Sequence, residues 1–463
     1  MDVLKNLLVQ EKTFVSQIQA MEDLLSGVRV DIAELRSVNR NAGTYNLPSE
    51  ALSAIFEAGL CYTPKTRERG HMLSKARTTP FELLVSSVSR RWRNVALQTS
   101  RLWTVLDIDM GSTHDLYDLY LDRSKMCPLD ITLDFPHTRR ECDINVKQHL
   151  DRLIPHVSRW RKFIVRNYYV GSRLSALSHL CAPALETLVL DCDPENPENP
   201  EITLFSGGAS RLSSLELSGT NLRPPVGAVK YFKLSRIFLF PLFDYDPLSQ
   251  LIRPMRYLTH LSTAANLVSD AGNHPPIELP SVLALDIYFD HHDTSSSTLS
   301  IFDFPAVKFL TIHGRTNVAI GTLTRNHRVY PHVQSFTLVN DRKYGDAENA
   351  PAALALDFIS LLPGVQDVVF RCTDPSAILN ALHNRKPTDE ILWPDLHAIT
   401  VIAAERAKVL HKKQTWTCIV KVVENRVQLG HPISSIKLSS QIVERGGQRQ
   451  KQRLREQAAL TEC

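Results

Sequence analysis

The sequence predicts a mixed α+β and α/β solenoid: an N-terminal helix, a small helical module, then a curved repeat array built on a parallel sheet. Three observations predict it. Apolar residues recur every 3.5 positions between residues 4 and 35. Two short amphipathic segments follow between residues 47 and 96. From Trp160 onward the pattern apolar-x-x-apolar-x-apolar returns with eleven starts.

Composition bounds the rest. The 463 residues are 43% hydrophobic and 22% charged, close to the soluble globular average and far from collagen-like or disordered chains. Lys plus Arg number 53 against 49 for Asp plus Glu, a surplus too small to imply a specific nucleic-acid partner. Cysteines stand at 61, 127, 142, 181, 192, 372, 418 and 463 with no CxxC pair. Neither a zinc site nor a disulfide framework has that spacing, so reduced structural thiols are expected. No apolar run reaches the roughly 18 to 20 residues a bilayer needs, and the start Met1-Asp2-Val3-Leu4-Lys5 is not a secretory leader. No membrane association and a cytoplasmic or nuclear location are expected.

The first element covers residues 1–40. With Leu4 as position a, the a and d sites are Leu4, Leu7, Glu11, Phe14, Ile18, Met21, Leu25, Val28, Ile32 and Leu35. Nine of these ten are apolar, which makes a coiled-coil-like seam that buries only against another helix. That helix belongs either to this chain or, by self-association through the 4–35 seam, to another copy. Asn39-Arg40-Asn41-Ala42-Gly43 is a helix stop.

The second element covers residues 44–104. In Leu47-Pro48-Ser49-Glu50-Ala51-Leu52-Ser53-Ala54-Ile55-Phe56, Pro48 presets a first helical turn, and Leu52, Ile55 and Phe56 share a face. Residues 62–80 carry Lys65, Arg67, Arg69, Lys75 and Arg77 among prolines and a glycine, a basic solvated loop. A second helix is expected over Phe81 to Ala96, with Leu84, Val88, Trp92 and Val95 in line. Arg101-Leu102-Trp103 follows it.

This order, Leu-Pro-x-Glu-x-Leu-x-x-Ile-Phe, then Val-x-x-x-Trp-Arg, then Leu-Trp, resembles an F-box over residues 47–103. It looks most like the fungal F-box-like proteins, which often carry a heptad helix upstream and a leucine-rich region downstream. The resemblance implies a module docking on a Skp-type adaptor, and through it on a cullin ubiquitin ligase. Leu47, Pro48, Leu52, Ile55, Phe56, Val88 and Trp92 would form the module and its adaptor surface. Two positions depart from the pattern: the basic loop is longer than in a compact F-box, and Ser89 stands where a Cys is common. A plain helical hairpin packing on the following domain is the alternative.

Residues 105–158 read as a capping and connecting region. Strands are expected over Trp103 to Ile108 and Pro128 to Leu133, with a helix over Asp115 to Ser124; they would shield the first apolar face of the array. Over 159–440 the pattern starts at Trp160, Leu185, Leu212, Leu234, Leu258, Val282, Val307, Val333, Val365, Leu396 and Ile433, and only Thr263 breaks the apolar template. Most intervals are 22 to 27 residues, and the last three stretch to 32, 31 and 37. A Leu-x-x-Leu-x-Leu core at such intervals is the signature of leucine-rich repeats, each unit giving a strand to a parallel sheet. The match is degenerate: Asn167, Cys192, Asn340 and Cys372 stand seven residues after the first apolar position rather than eight. The stretched intervals leave room for inserted helices or loops.

If the second and third apolar positions point inward, the residues between them line the concave binding face. That face would hold Lys162, Arg166, Glu216, Arg236, Phe238, Phe240, His260, Asp286, Tyr288, His313 and Arg371. Of these, Arg236, Phe238, Phe240, Asp286, Tyr288, His313 and Arg371 are the candidate target-binding residues, because aromatics beside Arg are enriched in binding hot spots. The aromatics could equally turn into the core of degenerate repeats. No phosphate loop, HExxH or G-x-S-x-G elbow occurs. His291-His292-Asp293 reads as a solvated turn and Asp191 to Glu201 as a surface loop. Residues 441–463 read as a frayed, polar, basic tail.

No catalytic residue, metal or cofactor is expected. The leading expectation is a non-enzymatic substrate receptor of a cullin-type ligase, with an adaptor on the F-box-like module and an unknown target protein on the array. The alternative is a repeat scaffold without adaptor binding. A hydrolase assembled without a local motif is a third class.

Overall fold

The computed structural model describes residues 2–37, 47–62, 79–109, 114–134, 142–167, 171–192, 201–218, 222–234, 244–268, 274–289, 297–314, 316–340, 352–372, 375–383, 391–403, 409–444 and 446–462. The chain forms two compact units, Met1–Ile131 and Thr132–Cys463.

In the first unit, α1 (Asp2–Ser37) is the heptad helix. It is followed by α2 (Ser49–Tyr62), α3 (Phe81–Val88) and α4 (Arg90–Gln98). A 3-10 turn at Ser100–Trp103 leads into β1 (Val105–Asp109), α5 (His114–Arg123) and β2 (Leu129–Asp134), in which the unit boundary falls. The single helix expected over 81–96 is two. Ser89 is extended (φ −158°, ψ 166°), and its Oγ accepts the Trp92 N–H at 3.2 Å. A serine in that role satisfies an orphan amide and starts a new helix, which apolar periodicity alone does not reveal.

The core of this module is Leu52, Phe56, Val85, Val95, Ala96, Leu102 and Trp103, all buried. The Phe56 and Trp92 rings meet at 5.0 Å. Gly59 is where α2 admits Phe81: a Cβ there would lie 2.2 Å from the ring. Trp103 donates its indole N–H to the Ala96 carbonyl at 2.9 Å and packs edge-on against Tyr120.

The second unit begins with α6 (Cys142–Leu153). Its strands are β3 (Trp160–Asn167), β4 (Thr187–Cys192), β5 (Ile202–Thr203), β6 (Ser214–Leu217), β7 (Leu222–Arg223) and β8 (Tyr231–Leu234). They continue with β9 (His260–Ala264), β10 (Ile277–Glu278), β11 (Ala284–Tyr288), β12 (Phe302–Asp303), β13 (Phe309–His313) and β14 (Ser335–Val339). The last are β15 (Asp367–Cys372), β16 (Ala398–Ala403), β17 (Ser435–Leu438) and β18 (Ala459–Glu462). One sheet runs β3-β4-β6-β8-β9-β11-β13-β14-β15-β16-β17-β18, parallel at every step. The short pairs β5–β7 and β10–β12 lie outside it. Strands in sequence order, one per repeat, make this an α/β solenoid-like fold with a large parallel sheet.

Register is pinned one residue before each strand pairing. The amides of Glu186, Ser213, Lys230, Thr259, Leu283, Lys308, Gln334, Gln366, His397 and Ser434 each donate to the equivalent carbonyl of the preceding repeat. Along β11 the burial alternates, with Leu285 and Ile287 inside, so the second and third apolar positions of the template do point inward. Thr263, the exception, is also buried, and its hydroxyl donates to the Ala264 carbonyl at 3.4 Å.

One frame is corrected. The fourth unit starts at Val229, with Phe232 and Leu234 following, all buried, and not at Leu234. Both frames are apolar; the hydrogen-bond ladder through Lys230 selects the earlier one.

The longer connections hold helices. These are α7 (Tyr245–Ile252), α8 (Ser297–Ile301), α9 (Thr316–Arg325), α10 (Ala352–Ser360), α11 (Ser376–His383) and α12 (Val409–Gln428). The last three lie in the stretched intervals. Phe336 of β14 meets Phe358 of α10 at 5.1 Å, which ties sheet to helix.

The tail is also corrected. Residues 441–462 are not frayed: α13 (Ser440–Val443) and α14 (Gln448–Gln457) lead to β18, which pairs with β17. Leu454 is fully buried and Trp416 donates to Gln450 at 2.8 Å. One apolar anchor among many charges is too sparse a signal to read as a helix face.

Candidate interaction surfaces

The open face of the sheet is assembled from the registers. Because strands pair in parallel and alternate, every second residue falls into a row that crosses the repeats. One row runs Glu216, Lys233, Ser262, Asp286, Thr311 and Thr337. The next runs Ala264, Tyr288, His313, Val339 and Arg371. Tyr288 and His313 are register partners, and their rings stack at 4.1 Å with 8° between planes. Asp286 stands two residues before Tyr288 on the same side, and Arg371 is exposed two strands further on. Lys233 and Glu216 form an ion pair at 3.4 Å. The strand periodicity brings Asp286, Tyr288, His313 and Arg371 to one face of the sheet, together with Lys162, Arg166, Glu216 and His260.

Arg236, Phe238 and Phe240, like the His291-His292-Asp293 cluster and most of the basic loop, lie outside the described residues. Their placement on this face rested on the frame starting at Leu234. With the frame at Val229, the positions facing out are Tyr231 and Lys233. Phe309, 49% exposed beside Ala284, is the outward aromatic that the template missed. It stands just before the inward Leu310, at the position that Lys162 and His260 occupy in their own repeats.

A flat aromatic stack flanked by opposite charges suits contact with another protein surface. It holds no nucleophile–base pair. Among the described residues there is also no group of three His, Cys, Asp or Glu able to hold a metal. Strongly perturbed groups lie apart from it. Burial pushes the Tyr330 hydroxyl up to about 12 and lowers the Arg426 guanidinium.

The helical module divides the expected adaptor residues. Ile55 and Val88 are 49% and 56% exposed, and Pro48 is exposed. Leu47 and Trp92 are half-buried. Leu52 and Phe56 are core, not surface, at 0% and 1% exposure. They lie four residues apart on the side of α2 where the Ser53 hydroxyl meets that of Thr99 at 2.9 Å and Phe56 meets Trp92. A shared helical face says that residues travel together; packing says which of them it covers. Leu84, 53% exposed and one turn before Val88, belongs to the exposed set; its i, i+4 spacing to Val88 was the available signal.

Behind this surface the Tyr120 hydroxyl donates to the Glu82 carboxylate. Burial raises the Glu82 pKa above its ordinary 4.5. The folded module thus holds the proton more tightly than the unfolded chain, so stability falls as pH rises from 4.5 through the raised value. Glu82→Gln keeps an acceptor for Tyr120 without the charge. Thermal unfolding of the variant is expected at a higher temperature than wild type at pH 7 and at the same temperature at pH 4. Equal midpoints at both pH values would remove burial of Glu82 as the cause.

Fold and surfaces together define a two-unit chain: a helical module with exposed apolar residues, and an α/β solenoid-like repeat unit with an open sheet face. No protein-family model matches the chain, and no curated protein matches it. Among solved structures it is similar to TLR13 in the crystal structure of the TLR13–ssRNA13 complex, at 14% identity and a TM-score of 0.34. That match covers 68% of this chain and 39% of the other, so the chain spans about two-fifths of that protein's length. No helix among the described residues is long and apolar enough to cross a membrane.

Proposed function

We propose that this protein is a non-catalytic substrate-recognition subunit of a cullin-type ubiquitin ligase. The F-box-like module of residues 44–104 binds a Skp-type adaptor, and the leucine-rich-repeat-like array binds a target protein through the row containing Tyr288, His313 and Arg371. The receptor works by proximity: holding target and transferase on one scaffold raises their effective concentration, with no bond made or broken by the receptor itself.

The observation that carries this reading is the fate of the ordered motif. Its Leu52 and Phe56 build a core while Ile55, Leu84 and Val88 stay half exposed, an apolar surface that a module folding only for itself has no reason to keep.

The test is co-purification of a Skp-type adaptor with the full chain and with Ile55→Asp, Val88→Asp. Both positions are exposed, so the double variant keeps its melting profile. Its adaptor affinity is expected to drop at least about 100-fold, about tenfold for each buried apolar contact replaced by a charge. Failure of the folded wild type to bind any such adaptor would reject the ligase reading and leave a repeat scaffold.

A further inference from the structure

We infer that α1 is a dimerisation element: two copies of this chain pair through it as a parallel, in-register, two-stranded coiled coil. At 36 residues and 1.5 Å per residue the helix is about 54 Å long, and a helix in water gets most of its stability from packing an apolar face. Among the described residues no such packing covers the middle of this helix. Phe14, Ile18, Met21, Leu25, Val28 and Ile32 are 43–67% exposed. These are six consecutive a and d positions, so the exposed stripe is the seam itself. The ion pair of Asp31 with Arg90, 3.2 Å long and open to solvent, lies beside the seam at position g and leaves it clear.

The occupant follows from the period and the flanking charges. A 3.5-residue repeat presents knobs that fit the holes of a second helix carrying the same repeat, so an identical strand is complementary without further design. Position a carries Leu4, Glu11, Ile18, Leu25 and Ile32, and position d carries Leu7, Phe14, Met21, Val28 and Leu35; Ile at two a sites and Leu at two d sites favour two parallel strands, while Glu11 at a and Val28 at d do not add to that preference. In parallel register each g residue meets the following e residue of the partner. Those pairs are Val3 with Leu8, Gln10 with Val15, Gln17 with Glu22, Leu24 with Arg29, and Asp31 with Arg36: one attractive pair and no like charges. Full antiparallel overlap instead sets Glu11 against Val28 in two layers and pairs Gln10 with Asp31 and Val15 with Glu22. No opposite charges then meet. The parallel arrangement keeps one cost, the facing Glu11 pair, which caps the affinity and gives a variant that should raise it.

The inference is independent of adaptor binding, and its test contains no adaptor. The full chain is followed by sedimentation equilibrium over a dilution series. Wild type is expected to dimerise, Ile18→Asp with Leu25→Asp to weaken the dimer at least about 100-fold, and Glu11→Leu to tighten it. Unchanged thermal unfolding of the second unit shows that the exposed substitutions leave the fold alone. Orientation is read from Met21→Cys. In parallel register two copies meet at this position, so mild oxidation yields a covalent dimer beyond the wild-type background. A chain that is monomeric throughout overturns the inference, because it leaves the seam to a different protein. A dimer indifferent to the two aspartates places the contact elsewhere. A dimer that crosslinks only when Met21→Cys is mixed with Ile18→Cys is antiparallel and overturns the stated geometry.

Discussion

Replacing Arg426 with methionine is expected to destabilise the second unit by about 3–5 kcal/mol. Arg426 sits in α12 and is 2% exposed. It has no carboxylate in its described hydrogen bonds; its guanidinium is held by carbonyls alone. Nε donates to His431 at 3.1 Å, Nη1 to Leu392 at 3.1 Å, and Nη2 to Trp393, Pro394 and Leu396 at 3.1, 3.2 and 3.3 Å. Trp393 has φ 49°, a left-handed conformation that costs of order 1–3 kcal/mol for a residue with a Cβ and persists only where its surroundings over-determine it. The guanidinium fork supplies that constraint and adds donors to these carbonyls, of which the Trp393 oxygen also accepts the Leu396 amide at 2.9 Å. Methionine fills a similar space but donates nothing, so each buried carbonyl left unpaired costs about 1–3 kcal/mol. Arg426→Lys keeps the charge with three donors in place of five and should fall between the two. Chemical unfolding of the full chain, followed by far-UV circular dichroism, measures the shift. A methionine variant within 1 kcal/mol of wild type, on the order of a routine surface change, would show that water replaces the guanidinium.

The second large effect separates two residues that stand three positions apart in one motif. Leu52→Asp should unfold the helical module, since an unpaired carboxylate in its core costs upwards of about 4 kcal/mol. Ile55→Asp should change stability by no more than about 0.5 kcal/mol while weakening adaptor binding about tenfold. Loss of binding by the first variant therefore says nothing about the adaptor surface, and loss by the second does. Melting curves recorded alongside the binding assay distinguish them; equal destabilisation by both would mean that Ile55 is covered in solution.

Much of this architecture is legible in the chain because it is local. The 3.5-residue period over 4–35 needs no tertiary information to predict α1. The inward pair of each repeat, such as Leu285 and Ile287, is apolar except at Thr263, and the outward Asp286 and Tyr288 carry polar groups. The stretched intervals after Val333 hold helices, as their length allows.

The failures share a cause. At Ser89 one side-chain oxygen outweighs a continuous apolar stripe. At Leu234 two frames are equally apolar, and only the hydrogen bonds of neighbouring strands choose between them. In the tail a single Leu454 anchors a charged helix, and the strand after it exists because β17 offers a free edge.

By itself, then, the sequence determined the periods: one helix with a seam, a motif of alternating helical faces, and a strand about every 25 residues. Those follow from the geometry of the backbone, which fixes how often a side chain returns to the same side. Only the tertiary structure decided which sides are covered: that Leu52 is core and Ile55 is not, that Tyr288 and His313 stack, that Arg426 reaches five carbonyls, and that Phe14 to Ile32 of the α1 seam are exposed within one chain. Coverage depends on groups distant in the chain, and a local period carries no information about what will come to lie against it.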